Sequence, residues 1–274
     1  MKRILVPVGC RSDEGLSAPV IKRLNKYFDV DILQLEPQNF RYSYSLADSF
    51  CKSGRYDLMF VTGDRVEMCA AAAAAFHAKV PIAHFYAGIV NDPITTFDDI
   101  DRHCITLWSD IQFCEDENAA EVVWDLKMAT SLGHNAHVVG ISHLDDPEVD
   151  ESKVPGEPYD LVLVNSEPLS EKGTADFYIK KHTKVVQIGC NPDGTIEDMG
   201  FTYYPNLPHP QFLGLLKNCQ RFITNSSAAI YEAPHFLTPE QIVMVGDRNK
   251  NRPRGPFQTG ASDRITEILR EYLK

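Results

Sequence analysis

The sequence has no long apolar run. No stretch approaches the roughly 18 apolar residues of a membrane span, and the first apolar segment, residues 4–8, is too short for the core of a signal peptide. The seven cysteines are odd in number and include no CxxC pair, which argues against a disulfide framework or a zinc site. We therefore predict a cytoplasmic protein with reduced cysteines and no membrane partner, and we expect no metal and no cofactor.

Positive charge is also scarce. The 27 Lys and Arg residues are outnumbered by 38 Asp and Glu residues, for a net charge of −11, whereas proteins that bind nucleic acid non-specifically carry a basic face. Nucleic acid is therefore not expected as a general partner. A hydrophobic fraction of 43% and a charged fraction of 24% are typical of a folded globular chain.

Short apolar segments alternate with longer amphipathic ones, and this alternation predicts βαβ units and parallel sheets. In the first half the predicted strands are residues 4–8, 29–35, 58–61, 80–85, 111–114 and 137–139, and the predicted helices are residues 16–26, 45–52, 67–76, 98–108 and 117–128. In the second half the predicted strands are residues 161–164, 184–188, 221–224 and 241–245, and the predicted helices are residues 174–181, 211–218, 228–233 and 261–274.

Turn-forming and charged residues are concentrated between Ser142 and Tyr159, which is typical of a linker. The predicted fold class is therefore α/β, with two doubly wound Rossmann-like domains that face each other across a cleft. We predict an N-terminal domain at residues 1–150, a second domain at 158–258, and a C-terminal helix at 259–274 that packs back on the first domain.

Ligands of open parallel sheets bind beyond the carboxyl ends of the strands, so residues that follow predicted strands are the site candidates. Residues 9–15 contain two glycines and Arg11, which would let backbone and guanidinium approach an anion; a plain strand–helix turn is the alternative. Ser226 and Ser227 stand between a strand and a helix, where their hydroxyls either cap the helix or bind a diphosphate.

Three more charged residues lie close to these serines in the sequence. Glu232 is about one helical turn further on, where it either accepts hydrogen bonds from ribose hydroxyls or is simply solvated. Arg248 and Arg252 follow the next predicted strand, where they form either a solvated loop or the positive side of a phosphate pocket.

Two carboxylates of the first half are candidates for proton transfer. Asp98 and Arg102 stand at i and i+4 on one predicted helix. They therefore form either an ion pair or a proton-transfer carboxylate with an arginine that sets its charge. Asp64, which follows Gly63 at the end of a predicted strand, is the second candidate.

In order along the chain, these segments resemble the hydrolysing UDP-N-acetylglucosamine 2-epimerases, for example in GDRVEM at residues 63–68 and NSS at 225–227. The matching segments are residues 9–15, 63–68, 81–84, 98–106, 191–194, 206–216, 225–234 and 246–252. The resemblance implies a divergent and shortened member of the family, with two Rossmann-like domains of the GT-B type. It also implies a homodimer.

The resemblance implies roles for individual residues. The residues that it places at the UDP-linked sugar are Arg11, Arg102, Ser226, Ser227, Glu232, Arg248 and Arg252, and the implied catalytic residues are Asp98 and Asp64. The family's reaction eliminates UDP to leave a 2-acetamidoglucal and then adds water, which releases N-acetylmannosamine.

The chain departs from the family where the sugar reacts. Tyr86 and Ile89 stand where the family keeps a glutamate, and Asn165 stands where it keeps a histidine. A tyrosine is a poor base near neutral pH without a large pKa shift, and an asparagine cannot carry a proton. Two residues are also inserted before Asp98, and a family helix is missing after Gly194. These departures predict that UDP-hexosamine binding is retained while the chemistry is altered.

Three functions remain open from the sequence. The first is a UDP-hexosamine epimerase or hydrolase that uses Asp98 and Asp64. The second is a UDP-sugar-dependent glycosyltransferase of the GT-B fold, in which one of these carboxylates is the base for an acceptor such as a sugar, a lipid or a modified nucleobase. The third is a UDP-sugar-binding protein with weak or no catalysis.

Overall fold

A computed structural model describes residues 1–9, 11–165, 167, 184–189, 201–249, 251–252 and 255–274. The chain forms two compact units. The first comprises Met1–Val90, Phe97–Asp145 and Phe257–Lys274, and the second comprises Asn91–Thr96 and Asp146–Pro256. The helix predicted at 174–181, the segment 191–194 and the stretch after Gly194 where a family helix is missing lie outside the described residues.

The first unit is built on a sheet of six parallel strands. The strands are β1 (Arg3–Val8), β2 (Asp29–Gln34), β3 (Leu58–Thr62), β4 (Ile82–Phe85), β5 (Ile111–Cys114) and β6 (Ala136–Val138). The helices between them are α1 (Arg11–Leu24), α2 (Phe40–Lys52), α3 (Val66–His77), α4 (Asp98–Trp108) and α5 (Glu117–Ala129). The strand order is β2-β1-β3-β4-β5-β6. Strands β3 and β4 are buried along their whole length, as expected where helices cover both faces of a parallel sheet.

Helix α3 shows how the sequence sets the packing of this unit. Its six consecutive alanines, residues 70–75, are all buried. Alanine has the highest helix propensity and a minimal side chain, so the helix can lie close to its neighbours on several sides. Four of these alanines, at positions 71, 72, 74 and 75, share one core cluster with Leu5, Met59 and Ile82 of the strands, and helices α2 and α4 both pack against α3.

The last helix of the first unit is α8 (Ala261–Tyr272), so that the chain returns to this unit at its end. The carboxylate of Asp145 accepts the backbone N–H groups of Gly260 at 2.5 Å and Ser262 at 2.8 Å. It thereby satisfies donors that a helix start leaves unpaired. Arg23 of α1 forms an ion pair with Asp263 of α8 at 2.9 Å.

The described residues of the second unit form five parallel strands. They are β7 (Tyr159–Leu163), β8 (Lys184–Ile188), β9 (Thr202–Tyr204), β10 (Arg221–Thr224) and β11 (Ile242–Met244), in the order β11-β10-β7-β8-β9. Its described helices are α6 (His209–Asn218) and the short α7 (Ala228–Tyr231), with 3-10 turns at Ala233–His235 and Pro239–Gln241. Val162, Val164, Val185 and Ile223 form a cluster in its core.

The predicted α/β class with two parallel sheets is confirmed, and the errors are local. The helix predicted at 45–52 begins at Phe40, because the Asn39 side chain caps it by accepting the N–H of Tyr42 at 3.0 Å. The helix predicted at 16–26 runs from Arg11 to Leu24. The helix predicted to start at residues 228–233 is only the short α7, which ends at Tyr231, and strand β9 was not predicted. Within the described ranges, no helix combines the length and the apolar character needed to cross a membrane.

Candidate functional site

The strand order of each sheet locates a crevice. In the first sheet β1 lies between β2 and β3, and in the second sheet β7 lies between β8 and β10. In the first sheet the chain therefore goes from β1 to β2 on one side and then adds β3 on the other side of β1. In the second sheet it goes from β7 to β8 and later adds β10 on the other side of β7. Open parallel sheets bind ligands at such a switch point, beyond the carboxyl ends of the strands. The candidate segments 9–15 and 63–65 follow β1 and β3, and the segments 165–167 and 224–229 follow or end β7 and β10.

A buried ion pair shapes the turn after β1. Arg65 Nε donates to Glu67 Oε1 at 2.8 Å, and both side chains are buried. The other carboxylate oxygen of Glu67 accepts the N–H of Gln38 at 3.2 Å. A Cβ on Gly9 would lie 2.5 Å from Glu67 Oε1, so the turn needs a glycine there. Helix α1 begins at Arg11, whose side chain lies outside the described part of the structure.

The carboxylate predicted after β3 contacts the arginine predicted on α4. Asp64 forms an ion pair with Arg102, whose side chain is buried while that of Asp64 is partly exposed. Asp98 begins α4 and is half-buried. Residues at i and i+4 share one face of a helix, so Asp98 lies on the same face as Arg102. The structure thus pairs Asp64 with Arg102 and places Asp98 on the same helix face as Arg102. The sequence had predicted Asp64 and Asp98 as two separate candidates.

His84 fixes the turn that carries Asp64. Its Nε2 lies 2.8 Å from the carbonyl oxygen of Gly63, and its Nδ1 lies 3.1 Å from the Thr106 hydroxyl. Burial lowers the pKa of His84 to about 4, because a buried imidazolium loses its hydration. His84 is therefore a neutral structural link between β4, α4 and the turn after β3.

A tyrosine–histidine pair was missed by the sequence reasoning. The Tyr86 hydroxyl lies 2.8 Å from Nδ1 of His143. It also accepts the backbone N–H of Ser142 at 3.2 Å. Tyr86 follows β4 and is buried, while His143 follows β6 and is half-buried. The sequence shows that each of the two residues follows a predicted strand. It gives no local sign that they pair across the intervening strand β5.

The switch point of the second unit is occupied by amides and one buried carboxylate. The N–H of Asn165 donates to Asn225 Oδ1 at 2.7 Å, and Asn225 Nδ2 donates back to the carbonyl of Asn165 at 2.8 Å. Glu167 accepts hydrogen bonds from Asn225 Nδ2 at 2.9 Å and from the N–H groups of Asp247 and Arg248 at 3.3 Å each. Three donors offset the desolvation of this carboxylate. Glu167, which was not a predicted site residue, therefore ties together the ends of β7, β10 and β11.

The two predicted serines lie directly beyond β10 and differ in their contacts. Ser226 Oγ accepts the N–H of Ala228 at 3.3 Å, which is a helix-capping contact, whereas the Ser227 side chain makes no capping bond to α7 among the described residues. Both are half-buried. Glu232 follows α7, is buried, and lies 3.5 Å from Nε2 of His209. Capping thus describes Ser226 in part and does not describe the Ser227 side chain among the described contacts.

The two arginines after β11 have different surroundings. Arg252 is buried; it donates to Oδ1 of Asn249 at 3.1 Å and to the Tyr231 hydroxyl, and its guanidinium carbon lies 5.1 Å from the centre of the Tyr231 ring. Asn249 in turn donates to the carbonyl of Asn225 at 2.5 Å. Arg248 is held through its backbone N–H and keeps a half-buried side chain. Arg252 therefore supports the loop, whereas Arg248 is held by its backbone.

Among the residues that the structure describes, no three His, Cys, Asp or Glu side chains are grouped so that they could hold a metal ion. The described cysteines are Cys51, Cys69, Cys104, Cys114 and Cys219, and all are free thiols. Burial raises the pKa of Cys51 to about 11 and that of Cys114 to about 12. These thiols are therefore protonated at neutral pH and are poor nucleophiles.

Residues 44–165 match the family model described as UDP-N-acetylglucosamine 2-epimerase. Two curated proteins are similar over nearly the whole chain. UDP-N-acetylglucosamine 2-epimerase of Neisseria meningitidis serogroup B is 24% identical, over 93% of this chain and 82% of its own. UDP-N,N'-diacetylbacillosamine 2-epimerase (hydrolyzing) of Legionella pneumophila is 22% identical, over 100% of this chain and 89% of its own.

Solved structures share the fold. The complex of S. aureus MnaA with UDP superposes with a TM-score of 0.75 at 15% identity, over 100% of this chain and 97% of that one. The Methanocaldococcus jannaschii UDP-GlcNAc 2-epimerase in complex with UDP-GlcNAc and UDP superposes with a TM-score of 0.73 at 16% identity, over 99% and 100%. The chain shares the GT-B type of fold with these structures, and its residues 44–165 are similar to the UDP-N-acetylglucosamine 2-epimerase family.

Proposed function

We propose that this protein is a hydrolysing 2-epimerase that acts on a UDP-linked N-acetylhexosamine. The observation that carries the proposal is the group formed by Asp64, Arg102 and Asp98. It lies within the residues matched by the epimerase model, beside the switch point of the first sheet. Two solved structures with the same fold are complexes with UDP or with UDP-GlcNAc and UDP, which supports a UDP-sugar as the ligand here.

The second unit is proposed to bind the nucleotide. Ser226, Ser227 and the backbone N–H groups beside them would donate to the diphosphate, and the guanidinium of Arg248 would add positive charge. Glu232 would accept hydrogen bonds from the ribose hydroxyls. The network around Glu167 supports this assignment, because it holds the loops after β10 and β11 in one arrangement before any ligand binds.

Arg11 and Arg252 complete the proposed nucleotide set. Arg11 begins the helix that follows β1 and is a further candidate for the diphosphate. Arg252 acts through Asn249 and Tyr231, whose contacts keep it buried. We therefore assign Arg252 a positioning role rather than direct contact with the phosphates.

The chemistry is proposed to start at Asp98. Its carboxylate removes the proton from C2 of the sugar, the electrons of the C2–H bond form the C1=C2 double bond, and the C1–O bond breaks with its electron pair on the departing UDP. Asp64, held by Arg102, would bind the sugar hydroxyls. Positive charge and N–H donors at the diphosphate stabilise the leaving group. Water then adds across the double bond of the 2-acetamidoglucal and gives a free hexosamine.

Incubation with UDP-N-acetylglucosamine and no acceptor tests the proposal. A coupled assay should show release of UDP, and NMR should identify N-acetylmannosamine in equal amount. UDP release that occurs only after addition of an acceptor sugar, lipid or nucleoside would identify a glycosyltransferase instead. Binding of UDP without consumption of the sugar nucleotide would identify a binding protein.

A further inference from the structure

Inversion at C2 needs two proton-transferring groups, one for each face of the sugar ring. Asp98 provides one of them in the proposed function. Tyr86 and Ile89 occupy the positions at which the resembling enzymes keep a glutamate, and neither is an acid or base near neutral pH on its own. Both are buried. The second group must therefore come from another part of the chain.

The hydroxyl of Tyr86 is held by more than one partner. It lies 2.8 Å from His143 Nδ1 and 3.3 Å from Ser142 Oγ, and it accepts the N–H of Ser142 at 3.2 Å. Ser142 Oγ in turn donates to the carbonyl of Leu16 in α1 at 2.9 Å. This chain of contacts joins the ends of β4 and β6 to helix α1.

These contacts accommodate a charged His143. When the imidazole carries two protons, its Nδ1–H donates to the Tyr86 oxygen. The Tyr86 hydroxyl then donates to Ser142 Oγ, and the Ser142 hydroxyl continues to donate to the carbonyl oxygen of Leu16. Nδ1–H and the two hydroxyls then each have an acceptor at one of the observed distances. When the imidazole is neutral, the Tyr86 proton turns to Nδ1. The cluster thus accepts a protonated and a neutral ring with only a hydroxyl rotation.

The backbone conformation at Tyr86 lowers the stability of the fold, which indicates a functional role for this position. Tyr86 has a φ of +66°, a left-handed conformation that is unfavourable for a bulky residue by about 1–2 kcal/mol. Its ring nevertheless stacks on Phe85 with the centroids 3.9 Å apart, and its edge meets His143 at 5.4 Å. Strained conformations that the surroundings hold in place are concentrated at functional sites.

We propose that His143 is the second proton-transferring residue of the reaction and that Tyr86 positions its ring; this inference rests on the proposed function. In the hydration half, the imidazolium Nε2–H gives its proton to C2 of the glucal. The electrons of the C1=C2 bond form the new C2–H bond, and the water oxygen bonds to C1. The proton that this water loses passes to solvent, from which His143 is recharged.

The experiment separates the two halves of the reaction by measuring the ratio of glucal to hexosamine in the products. His143→Gln should keep UDP release and UDP binding but slow hydration by roughly 10²–10⁴-fold, so that the 2-acetamidoglucal accumulates. Tyr86→Phe should shift the ratio in the same direction by about 10-fold, the effect of one lost hydrogen bond. Added imidazole should restore hexosamine formation in a His143→Gly variant.

His137→Gln is the matched control, because His137 is a half-buried histidine of β6 that bonds to Asn135. Its product ratio should equal that of the unmodified protein. A His143→Gln variant that binds UDP and gives hexosamine without glucal would overturn the inference while leaving the proposed function intact. Absence of UDP release from the unmodified protein would instead overturn the proposed function.

Discussion

The carboxyl ends of the two sheets carry different kinds of polar group. In the first unit, ionisable side chains meet there in pairs: Asp64 with Arg102 and Tyr86 with His143. Among the described residues of the second unit, the amide of Asn225 bonds to the backbone of Asn165, and the buried Glu167 accepts three N–H donors. The same topology thus carries ionisable pairs in one unit and a network of fixed donors and acceptors in the other.

In the proposed function, this difference separates nucleotide binding in the second unit from proton transfer in the first. A network of fixed donors and acceptors suits the proposed binding of a nucleotide that does not react. A partly exposed carboxylate or a tyrosine–histidine pair can exchange a proton, which suits the sugar carbons that do react. Substitutions at Asp98 and Glu167 test this division, and substitutions at His84 and Gly9 test the packing around the strand ends of the first unit.

The largest effect is expected at Asp98. Asp98→Asn should lower kcat roughly 10²–10⁴-fold, because an amide cannot take the C2 proton, and it should leave the affinity for UDP unchanged. Steady-state kinetics and calorimetric titration with UDP measure the two quantities. Asp125→Asn, an exposed position on α5, is the control. If Asp98→Asn weakens UDP binding as much as it lowers kcat, the proton-transfer site and the nucleotide site are not separate.

The next effect concerns the stability of the first unit in acid. His84 is neutral in the folded protein down to its pKa of about 4, whereas the unfolded chain takes up this proton near the ordinary value of 6.5. Between these pH values the unfolded state binds more protons, so stability falls as the pH falls, by up to about 3 kcal/mol.

Tryptophan fluorescence reports on this unit alone, because the two tryptophans of the chain are Trp108 and Trp124, in α4 and α5. Urea unfolding at pH 7.5 and at pH 4.5 should show a smaller loss of stability in His84→Gln than in the unmodified protein. Equal losses in both would show that His84 does not contribute to the acid sensitivity.

A smaller effect is expected at Glu167. Glu167→Gln replaces one carboxylate oxygen with an NH₂ group that faces N–H donors, and charge-assisted hydrogen bonds contribute about 2 kcal/mol each. We expect UDP affinity to fall roughly 10- to 30-fold, while the tryptophan-reported unfolding of the first unit stays unchanged. Glu148→Gln, exposed in the second unit, should leave UDP affinity unaltered. Normal UDP affinity in Glu167→Gln would show that the hydrogen bonds of Glu167 do not contribute to nucleotide binding.

The smallest effect is expected at Gly9. Gly9→Ala places a Cβ 2.5 Å from the Glu67 carboxylate, and the overpacking should destabilise the first unit by about 1.5 kcal/mol. Gly15→Ala is a matched control in helix α1, where an added Cβ meets nothing within 4 Å and should stabilise the helix by about 0.5–1 kcal/mol. Chemical unfolding followed by tryptophan fluorescence compares the two. Equal stabilities would show that Glu67 can move aside.

Most strands and helices were predictable because burial on both faces leaves near-continuous apolar runs, and helices show their own period. The strand-end segments followed from the topology rule for parallel sheets. Strand β9 escaped prediction because Thr202–Tyr204 is short and partly exposed, with no apolar run. The start of α2 was misplaced because the cap at Asn39 was not recognised.

The site was less predictable than the fold, because its pairings join distant parts of the chain. Glu167 receives N–H groups from residues 80 and 81 positions later, and a lone glutamate in a loop gives no sign that it is buried. Tyr86 and His143 are 57 positions apart and belong to strands that are not neighbours. By contrast, Asp64 was singled out correctly as a strand-end carboxylate, although its pairing with Arg102 was not foreseen.

The most direct test of a proton-moving first unit is the deuterium content at C2 of the released hexosamine after reaction of UDP-N-acetylglucosamine in heavy water. The proposed elimination and hydration break the C2–H bond and rebuild it with a solvent-derived proton. NMR and mass spectrometry should therefore show one deuterium at C2 in N-acetylmannosamine. A hexosamine that retains its original C2 hydrogen, or a sugar nucleotide recovered unlabelled and unconsumed, would contradict the proposal.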